Sequence, residues 1–177
     1  MLSEGYNANY SFEYQDMFDR IISIYSKCKQ RFIESEELLE SMETFVAPLL
    51  EHRDALDHIV NAFKYLPHNE LQAIDELKKA EEHEMRAFYD IADFVCIEIR
   101  REISNSLKRC SKRKIKKIWV DYTEKKEWLY KVSLEIANIR TKRTSSSQIE
   151  EYDALLNDML GELRNFRLKI EPELHRT

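Results

Sequence analysis

Turn-forming residues are scarce along this chain, which has only two glycines and three prolines among its 177 residues. Sheets and α/β folds need many turns, and turns are made mostly with Gly, Pro, Asn and Asp. A chain so poor in breakers, with 43% hydrophobic and 34% charged residues, is typical of long helices joined by few loops. We therefore predict an all-α fold, an elongated bundle of about five long helices.

Periodic apolar residues predict the first two helices. Apolar positions at steps of three and four indicate a helix from about Ser11 to Phe45. A second helix takes Pro48 in its first turn, where the missing N–H of proline costs nothing. We expect this helix to end near Leu66, because Pro67 disfavours helical geometry in the residue before it.

The middle of the chain reads as two further helices. Asn69 with Gln72 forms a capping box for a third helix that runs at least to Ser104. Apolar residues at helical spacing predict a fourth helix that holds Ile115 to Ile136 in one piece.

The C-terminal segment carries the most regular apolar pattern. Ser147 with Glu150 forms a second capping box after the loop of residues 144–147. The apolar residues that follow step alternately by three and four, as in a heptad: Ile149, Tyr152, Leu156, Met159, Leu163, Phe166 and Ile170. We interpret this stripe as packing within the bundle, with an intermolecular coiled coil as the alternative.

The length fits one domain over residues 1–177, with a flexible N-terminus at residues 1–10. The opening MLSEGYNANY lacks the apolar core of a signal peptide, and the apolar runs are too short to cross a bilayer. The three cysteines, Cys28, Cys96 and Cys110, are odd in number and form no CxxC pair. A reducing compartment and a cytoplasmic protein are therefore expected.

Charge is distributed unevenly around a net value of −5. Residues 34–57 hold eight acids against Arg53 alone, whereas residues 100–117 hold nine bases against Glu102 alone. Lys and Arg close to Trp119 and Tyr122 can hold phosphates and stack on a base, although such a run is also typical of a solvated face. The predicted nucleic-acid-binding residues are Arg100, Arg101, Lys108, Arg109, Lys112, Arg113, Lys116 and Lys117.

The second predicted helix contains a short motif, in which Arg53 is followed by polar Asp54 and, after four intervening residues, by His58. This pattern resembles the signature of HEPN proteins, small helical-bundle domains whose catalytic members are metal-independent endoribonucleases. In that family the Arg and His of two protomers meet across a dimer interface and cleave RNA beside the attacking 2′-hydroxyl. The resemblance implies a homodimer, an RNA substrate, and a role as a toxin or in antiviral defence.

Helix geometry separates the two motif residues. The apolar positions of the second helix fall on one stripe, which we expect to be its core face: Leu49, His52, Leu56, Val60 and Phe63. At about 100° per residue, His58 lies about 160° from this stripe and Arg53 about 140° from His58. One straight helix therefore directs both residues at one phosphate only if their side chains reach far, and the alternative is a site shared between two chains.

The residue types suit RNA cleavage. A neutral imidazole such as His58 can take a proton from a 2′-hydroxyl at neutral pH. Arg53 can hold two phosphate oxygens and stabilise the transition state, and Asp54, one turn before His58, can orient the ring. The alternative is a solvated helix face with an Asp–His pair.

A second polar face is predicted on the third helix, where His83, Arg86 and Asp90 lie opposite the apolar residues. If the second and third helices lie side by side, both polar faces can line one groove. The alternative is an exposed face with an Arg86–Asp90 pair four residues apart.

No metal or cofactor is expected from the sequence. Di-iron bundles use Glu-x-x-His pairs, and none of the five histidines has Glu three positions before it. No HExxH, Walker, GxGxxG or GxSxG motif occurs. Two functions remain: a HEPN-like endoribonuclease, or a non-catalytic scaffold or accessory subunit that binds protein or nucleic acid through residues 100–117 and the C-terminal heptad face.

Overall fold

The computed structural model describes residues 8–38, 46–142 and 146–176 of the chain. Within these ranges the protein is all-α, which confirms the predicted fold class. Five helices have 20 residues or more, and shorter helices increase the number beyond the predicted five. In chain order the elements are α1 (Ala8–Leu38), α2 (Val46–Tyr65), α3 (Glu70–Lys108), α4 (Lys112–Ile118), α5 (Tyr122–Lys142), α6 (Ser146–Asn165), a π-helical turn (Phe166–Ile170) and α7 (Glu171–His175).

The helix boundaries agree with the sequence signals in the first half of the chain. Helix α1 includes Ala8–Tyr10, three of the residues expected to be flexible, and its predicted end at Phe45 falls outside the described residues. The turn after α2 is stabilised by Asn69, whose Oδ1 accepts from the backbone N–H of Gln72 at 3.2 Å. Gln72 Oε1 returns a contact at 3.2 Å, but to the Asn69 side-chain amide rather than to its backbone.

The prediction of one helix across residues 115–136 is wrong, because the chain breaks between α4 and α5. Ser111 caps α4 by accepting from the Lys114 N–H at 3.3 Å. Trp119 then leaves helical geometry, with φ −104° and ψ 86°. Its buried indole packs 5.3 Å from the ring of Phe166 and 5.6 Å from that of Tyr122. Neither Gly nor Pro marks this break, so local signals did not indicate it, and burial of the indole stabilises it.

Contacts along the chain define two compact units, residues 1–91 and 92–177, with the division inside α3. The core of the first unit joins α1, α2 and α3 and is rich in alanine: Met17, Ile21, Ala55, Ala62, Ala73, Ile74, Leu77 and Ala80. Arg20 of α1 also donates from Nε to Glu81 of α3 at 2.9 Å. Small side chains therefore let the helices of this unit approach closely.

The predicted core stripe of α2 is wrong. Leu56 and Phe63 are each 58% exposed, and Leu49 and Val60 are also exposed. The buried positions are Pro48, Ala55 and Ala62. Helix α2 has apolar residues on two sides, and the side that packs carries the small residues Ala55 and Ala62. The polar residues on that same side contact charged or polar side chains of α3.

The second unit buries large side chains. Tyr152, Leu156, Met159, Leu163 and Phe166 are all fully buried, and Ile170 is half-buried. The interpretation of the heptad stripe as internal packing is thereby confirmed, and this face is not available to a partner. The predicted capping box of Ser147 and Glu150 is not tested, because the Ser147 side chain lies outside the described residues. None of the described helices is long and apolar enough to cross a membrane.

Candidate functional site

Helices α2 and α3 face each other through a row of side chains at helical spacing. On α2 the row contains Glu51, Ala55, His58 and Ala62, at steps of four, three and four. Ala55 and Ala62 are buried, and their small size lets the longer polar side chains between them reach α3. His58, which the sequence prediction placed on the far face of α2, therefore lies on the face that meets α3.

His58 is held by a carboxylate of α3. Its Nδ1 lies 2.7 Å from Oε2 of Glu76, whose other oxygen accepts from Lys79 Nζ at 2.8 Å. The hydrogen bond from His58, with that from Lys79, holds the pKa of Glu76 below its ordinary value. An ionised carboxylate only accepts, so Nδ1 carries the proton and the neutral ring keeps its lone pair on Nε2.

Asp54 does not orient His58, contrary to the sequence prediction. Arg53 donates from Nε and Nη2 to the same Asp54 oxygen, at 2.9 and 2.6 Å. This side-chain hydrogen bond lowers the pKa of Asp54. The carboxylate of Asp54 therefore binds the guanidinium of Arg53, and Glu76 contacts the His58 ring in the way predicted for Asp54. Arg53 itself is 64% exposed.

His83 of α3 makes the reciprocal contact with a carboxylate of α2. Its Nδ1 lies 2.7 Å from Oε2 of Glu51 on α2, and Arg86 donates from Nε to that same oxygen at 2.9 Å. Burial alone would raise the pKa of Glu51, but the hydrogen bonds from Arg86 and His83 together outweigh it and lower the pKa. Arg86, predicted as a member of an Arg86–Asp90 pair, also lies 4.0 Å from Glu82 of its own helix.

The two imidazoles lie against each other. The rings of His58 and His83 stack with centroids 5.1 Å apart and an angle of 26° between their planes. Their side chains are 26% and 18% exposed, so both are partly accessible to solvent. The structure therefore brings one predicted catalytic residue and one residue of the second polar face into a single site, which we call the histidine pair.

Asp90 lies elsewhere, near a different row of polar groups that sequence reasoning missed. Cys28 Sγ is 3.5 Å from Nε2 of His52. His52 Nδ1 lies 2.8 Å from Glu84 Oε2, but the two atoms form no hydrogen bond. Burial, with the charges of Glu84 and Asp90, raises the pKa of Cys28 to about 12. The buried thiol is therefore protonated at neutral pH and is not a nucleophile.

One signal in the sequence could have found the carboxylates of the histidine pair. Glu51 precedes His58 by seven residues, and Glu76 precedes His83 by seven residues. Two antiparallel helices with this same spacing place each Glu opposite the other His, because seven residues are close to two helical turns. Hydrophobic patterning conceals the pairing, since it assigns polar residues to solvent.

The predicted nucleic-acid-binding residues lie in the second unit and have diverse surroundings. Arg101 pairs with Glu98, Lys108 donates to Asn105 at 3.1 Å, and Arg100 donates to Ser133 Oγ at 2.7 Å. All but the half-buried Arg100 are exposed: Arg101, Lys108, Arg109, Lys112, Arg113, Lys116 and Lys117.

Within the described part of the chain, no group of three His, Cys, Asp or Glu side chains has the arrangement of a metal site. Comparison of the chain with protein-family models, curated proteins and solved structures finds no match. The chemistry of the histidine pair is therefore the basis for assigning a function.

Proposed function

We propose that this chain is a HEPN-like, metal-independent endoribonuclease of the toxin or defence type, with His58 as its general base. The observation that carries the proposal is the histidine pair, in which His58 and His83 stack and each Nδ1 contacts a carboxylate. A carboxylate on Nδ1 fixes the tautomer and stabilises the imidazolium that forms when Nε2 takes a proton. The pair thus supplies both a base and an acid.

The reaction needs one group of each kind. Nε2 of neutral His58 accepts the proton of the 2′-hydroxyl. The 2′-oxygen then attacks the adjacent phosphorus, and the bond from phosphorus to the 5′-oxygen breaks. Protonated His83 gives its Nε2 proton to the departing 5′-oxygen. The products are a 2′,3′-cyclic phosphate and a 5′-hydroxyl, and no metal ion takes part.

Arginines supply the positive charge that the transition state requires. Arg86 and His83 contact the same carboxylate oxygen of Glu51. The Arg86 side chain is half exposed, so its guanidinium can also contact a phosphate oxygen. Arg53 contacts Asp54 in its own chain. As the family resemblance implies, Arg53 of a second copy completes the site in a homodimer.

Replacement of the base tests the proposal directly. His58→Ala should lower the rate of RNA cleavage by about 10²- to 10⁴-fold, the usual contribution of a positioned acid or base. The assay follows a labelled RNA in the presence of a chelator and identifies the cyclic phosphate ends. His68→Ala, at an exposed histidine in the turn after α2, is the matched control and should cleave like the wild type. Equal cleavage by both variants contradicts the assignment.

Mixing two inactive variants tests whether the site is shared. If Arg53 of one protomer meets His58 of the other, a mixture of Arg53→Ala and His58→Ala regains activity. Random exchange should restore about one quarter of the wild-type rate, because half of the dimers are mixed and each has one intact site of two. Activity that stays at the level of the single variants, in a mixture shown to exchange subunits, restricts the site to one chain.

A non-catalytic scaffold or accessory subunit is the second candidate, favoured by exposed cations on and next to α4: Arg109, Lys112, Arg113, Lys116 and Lys117. The heptad face no longer contributes to it, because that face is buried. Charge reversal at Lys112, Arg113, Lys116 and Lys117 should abolish a salt-dependent shift of RNA. Retained binding with an unchanged salt slope removes this candidate.

A further inference from the structure

A cavity of about 500 Å³ opens in the second unit, lined by side chains of α3, α4 and α5. Much of its wall is apolar and comes from Ile103, Leu107, Ile115, Trp119 and Leu129. Its volume falls in the range of about 300–1,000 Å³ that is typical of small-molecule sites. The cavity is therefore large enough to enclose the body of a small organic ligand.

Positive charge surrounds this cavity. Arg100, Lys108, Lys112 and Lys126 contribute to its lining, and no Asp or Glu is among the lining residues, all of which belong to the described part of the chain. The three lysines are exposed, whereas Arg100 is half-buried. Cations gathered around one low-dielectric space repel each other, and a bound anion removes that repulsion. The charge pattern selects an anionic ligand.

Two polar groups of the wall, Arg100 and Ser133, are engaged with each other, and the hydroxyls of Ser104, Tyr122 and Tyr130 also line the cavity. Ser133 Oγ donates to the Leu129 carbonyl at 2.8 Å and accepts from Arg100 Nη1 at 2.7 Å. The larger part of the wall is nevertheless apolar. A hydrocarbon or aryl body needs no hydrogen-bond partners there and gains from burial against the aliphatic side chains. The wall selects an apolar body.

We infer that this cavity binds an amphipathic organic anion. Its hydrocarbon or aryl body lies along Ile103, Ile115 and Leu129, and its single carboxylate or phosphate head contacts Lys112 and Lys126. Lys112, which was predicted from the sequence to bind nucleic acid, lines this cavity. The inference does not rest on RNA cleavage, since the cavity belongs to the second unit and the histidine pair to the first.

Fluorescence of Trp119 gives a direct binding assay. The chain has two tryptophans, and Trp128→Phe leaves only Trp119, which lines the cavity. Dodecanoate and dodecyl phosphate, below the concentrations at which they form micelles, should change this fluorescence saturably. Dodecanol has the same hydrocarbon body and no charge, and its affinity should be lower than that of dodecanoate by about tenfold or more.

Charge reversal tests the position of the head. Lys112→Glu with Lys126→Glu should weaken dodecanoate binding by about tenfold or more, because both cations then become repulsive. The matched control is Lys116→Glu with Lys117→Glu, which changes the net charge by the same amount. Both residues belong to α4, as Lys112 does, but neither lines the cavity. The control should bind within about twofold of the parent. All four lysines are exposed, so neither variant disturbs the core.

Thiol reactivity gives a second readout. Cys28 and Cys96 are buried, whereas Cys110 is half-buried and lines the cavity, so bound dodecanoate should slow its reaction with a disulfide reagent. Three outcomes overturn the inference: no saturable binding to the parent, equal affinity for dodecanol and dodecanoate, or equal loss in the two charge-reversed variants. Displacement of dodecanoate by adenosine monophosphate at comparable concentration also overturns it, since the body is then a nucleobase.

Discussion

In the first unit, α2 meets α3 through Ala55 and Ala62 and through the reciprocal contacts of His58 with Glu76 and His83 with Glu51. In the second unit, α6 buries a heptad stripe of large apolar side chains. Both interfaces have helical spacing, but the first is made of small and charged residues and the second of aromatic and aliphatic ones. The same periodicity is therefore used by two different chemistries.

This difference in composition decides whether the packed face of each helix can be predicted from the sequence. A stripe of large apolar residues such as Leu156 and Phe166 has one stable place, away from water, so hydrophobic patterning finds it. A face of Ala, Glu and His gives no such signal, because Glu and His are also stable on a face exposed to water. Four substitutions measure this contrast.

The largest loss of stability is expected in the second unit. Leu156→Ala should lower the free energy of unfolding by about 2–5 kcal/mol, since it leaves a cavity where a fully buried side chain was. Urea denaturation followed by circular dichroism measures it. Leu168→Ala, at a leucine that is 78% exposed, should cost less than about 0.5 kcal/mol. Similar losses in the two variants would remove the basis of the comparison.

Enlarging a small residue tests the close approach in the first unit. Ala55 is fully buried, and Ala55→Leu should destabilise by about 1–3 kcal/mol, because the added carbons force α2 away from α3. The same substitution at exposed Ala47 of α2 should change stability by less than about 0.5 kcal/mol. If Ala55→Leu is neutral in the same urea titration, the helices are not closely packed there.

The carboxylate of the histidine pair should give a pH-dependent effect. Glu76→Gln should cost about 1 kcal/mol at pH 7, because the amide loses the charge that His58 and Lys79 contact. The folded-state pKa of Glu76 lies below its ordinary value of 4.5. The stabilisation is therefore complete above pH 4.5 and is lost as the pH falls through the lower, folded-state pKa.

Urea titrations of the wild type and Glu76→Gln at pH 7 and pH 3 check that sign. The difference in unfolding free energy between them should shrink at the lower pH. Exposed Glu82 of the same helix supplies the control, and Glu82→Gln should show little difference at either pH. A difference for Glu76→Gln that grows on acidification contradicts the assigned direction.

The smallest effect is expected where sequence reasoning expected a core residue. Leu56 is 58% exposed, so Leu56→Ser should change the free energy of unfolding by less than about 0.5 kcal/mol. A core position would lose several times more. Thermal and urea denaturation of this variant together decide between the two faces of α2, and a loss above about 2 kcal/mol would restore the stripe predicted from the sequence.

Much of the fold could be predicted because its signals are local. The shortage of Gly and Pro predicts helices, Pro67 ends α2, and Asn69 caps α3 through a contact three residues away. The break at Trp119 escaped prediction because its cause is packing against Phe166, which lies 47 positions further along the chain (166 − 119). Local sequence carries no record of such a partner.

The candidate site divides in the same way. His58 and His83 could be named from residue type and helix position, and the Glu-to-His spacing of seven is present in both helices. Their meeting, and the choice of Glu76 over Asp54, depended on which face of α2 turned toward α3. That choice combines small-residue packing with charge pairing, and neither has a periodic hydrophobic signature.

Signals within single elements are sufficient to predict that this protein is built of long helices and that α6 buries its heptad stripe, because turn chemistry and large apolar residues act within one element. Three features arise only in the folded protein: α2 packs through its alanines, His58 stacks on His83, and cations surround one cavity in the second unit. Each of these depends on groups distant along the chain, and contact between such groups is a property of the folded state alone.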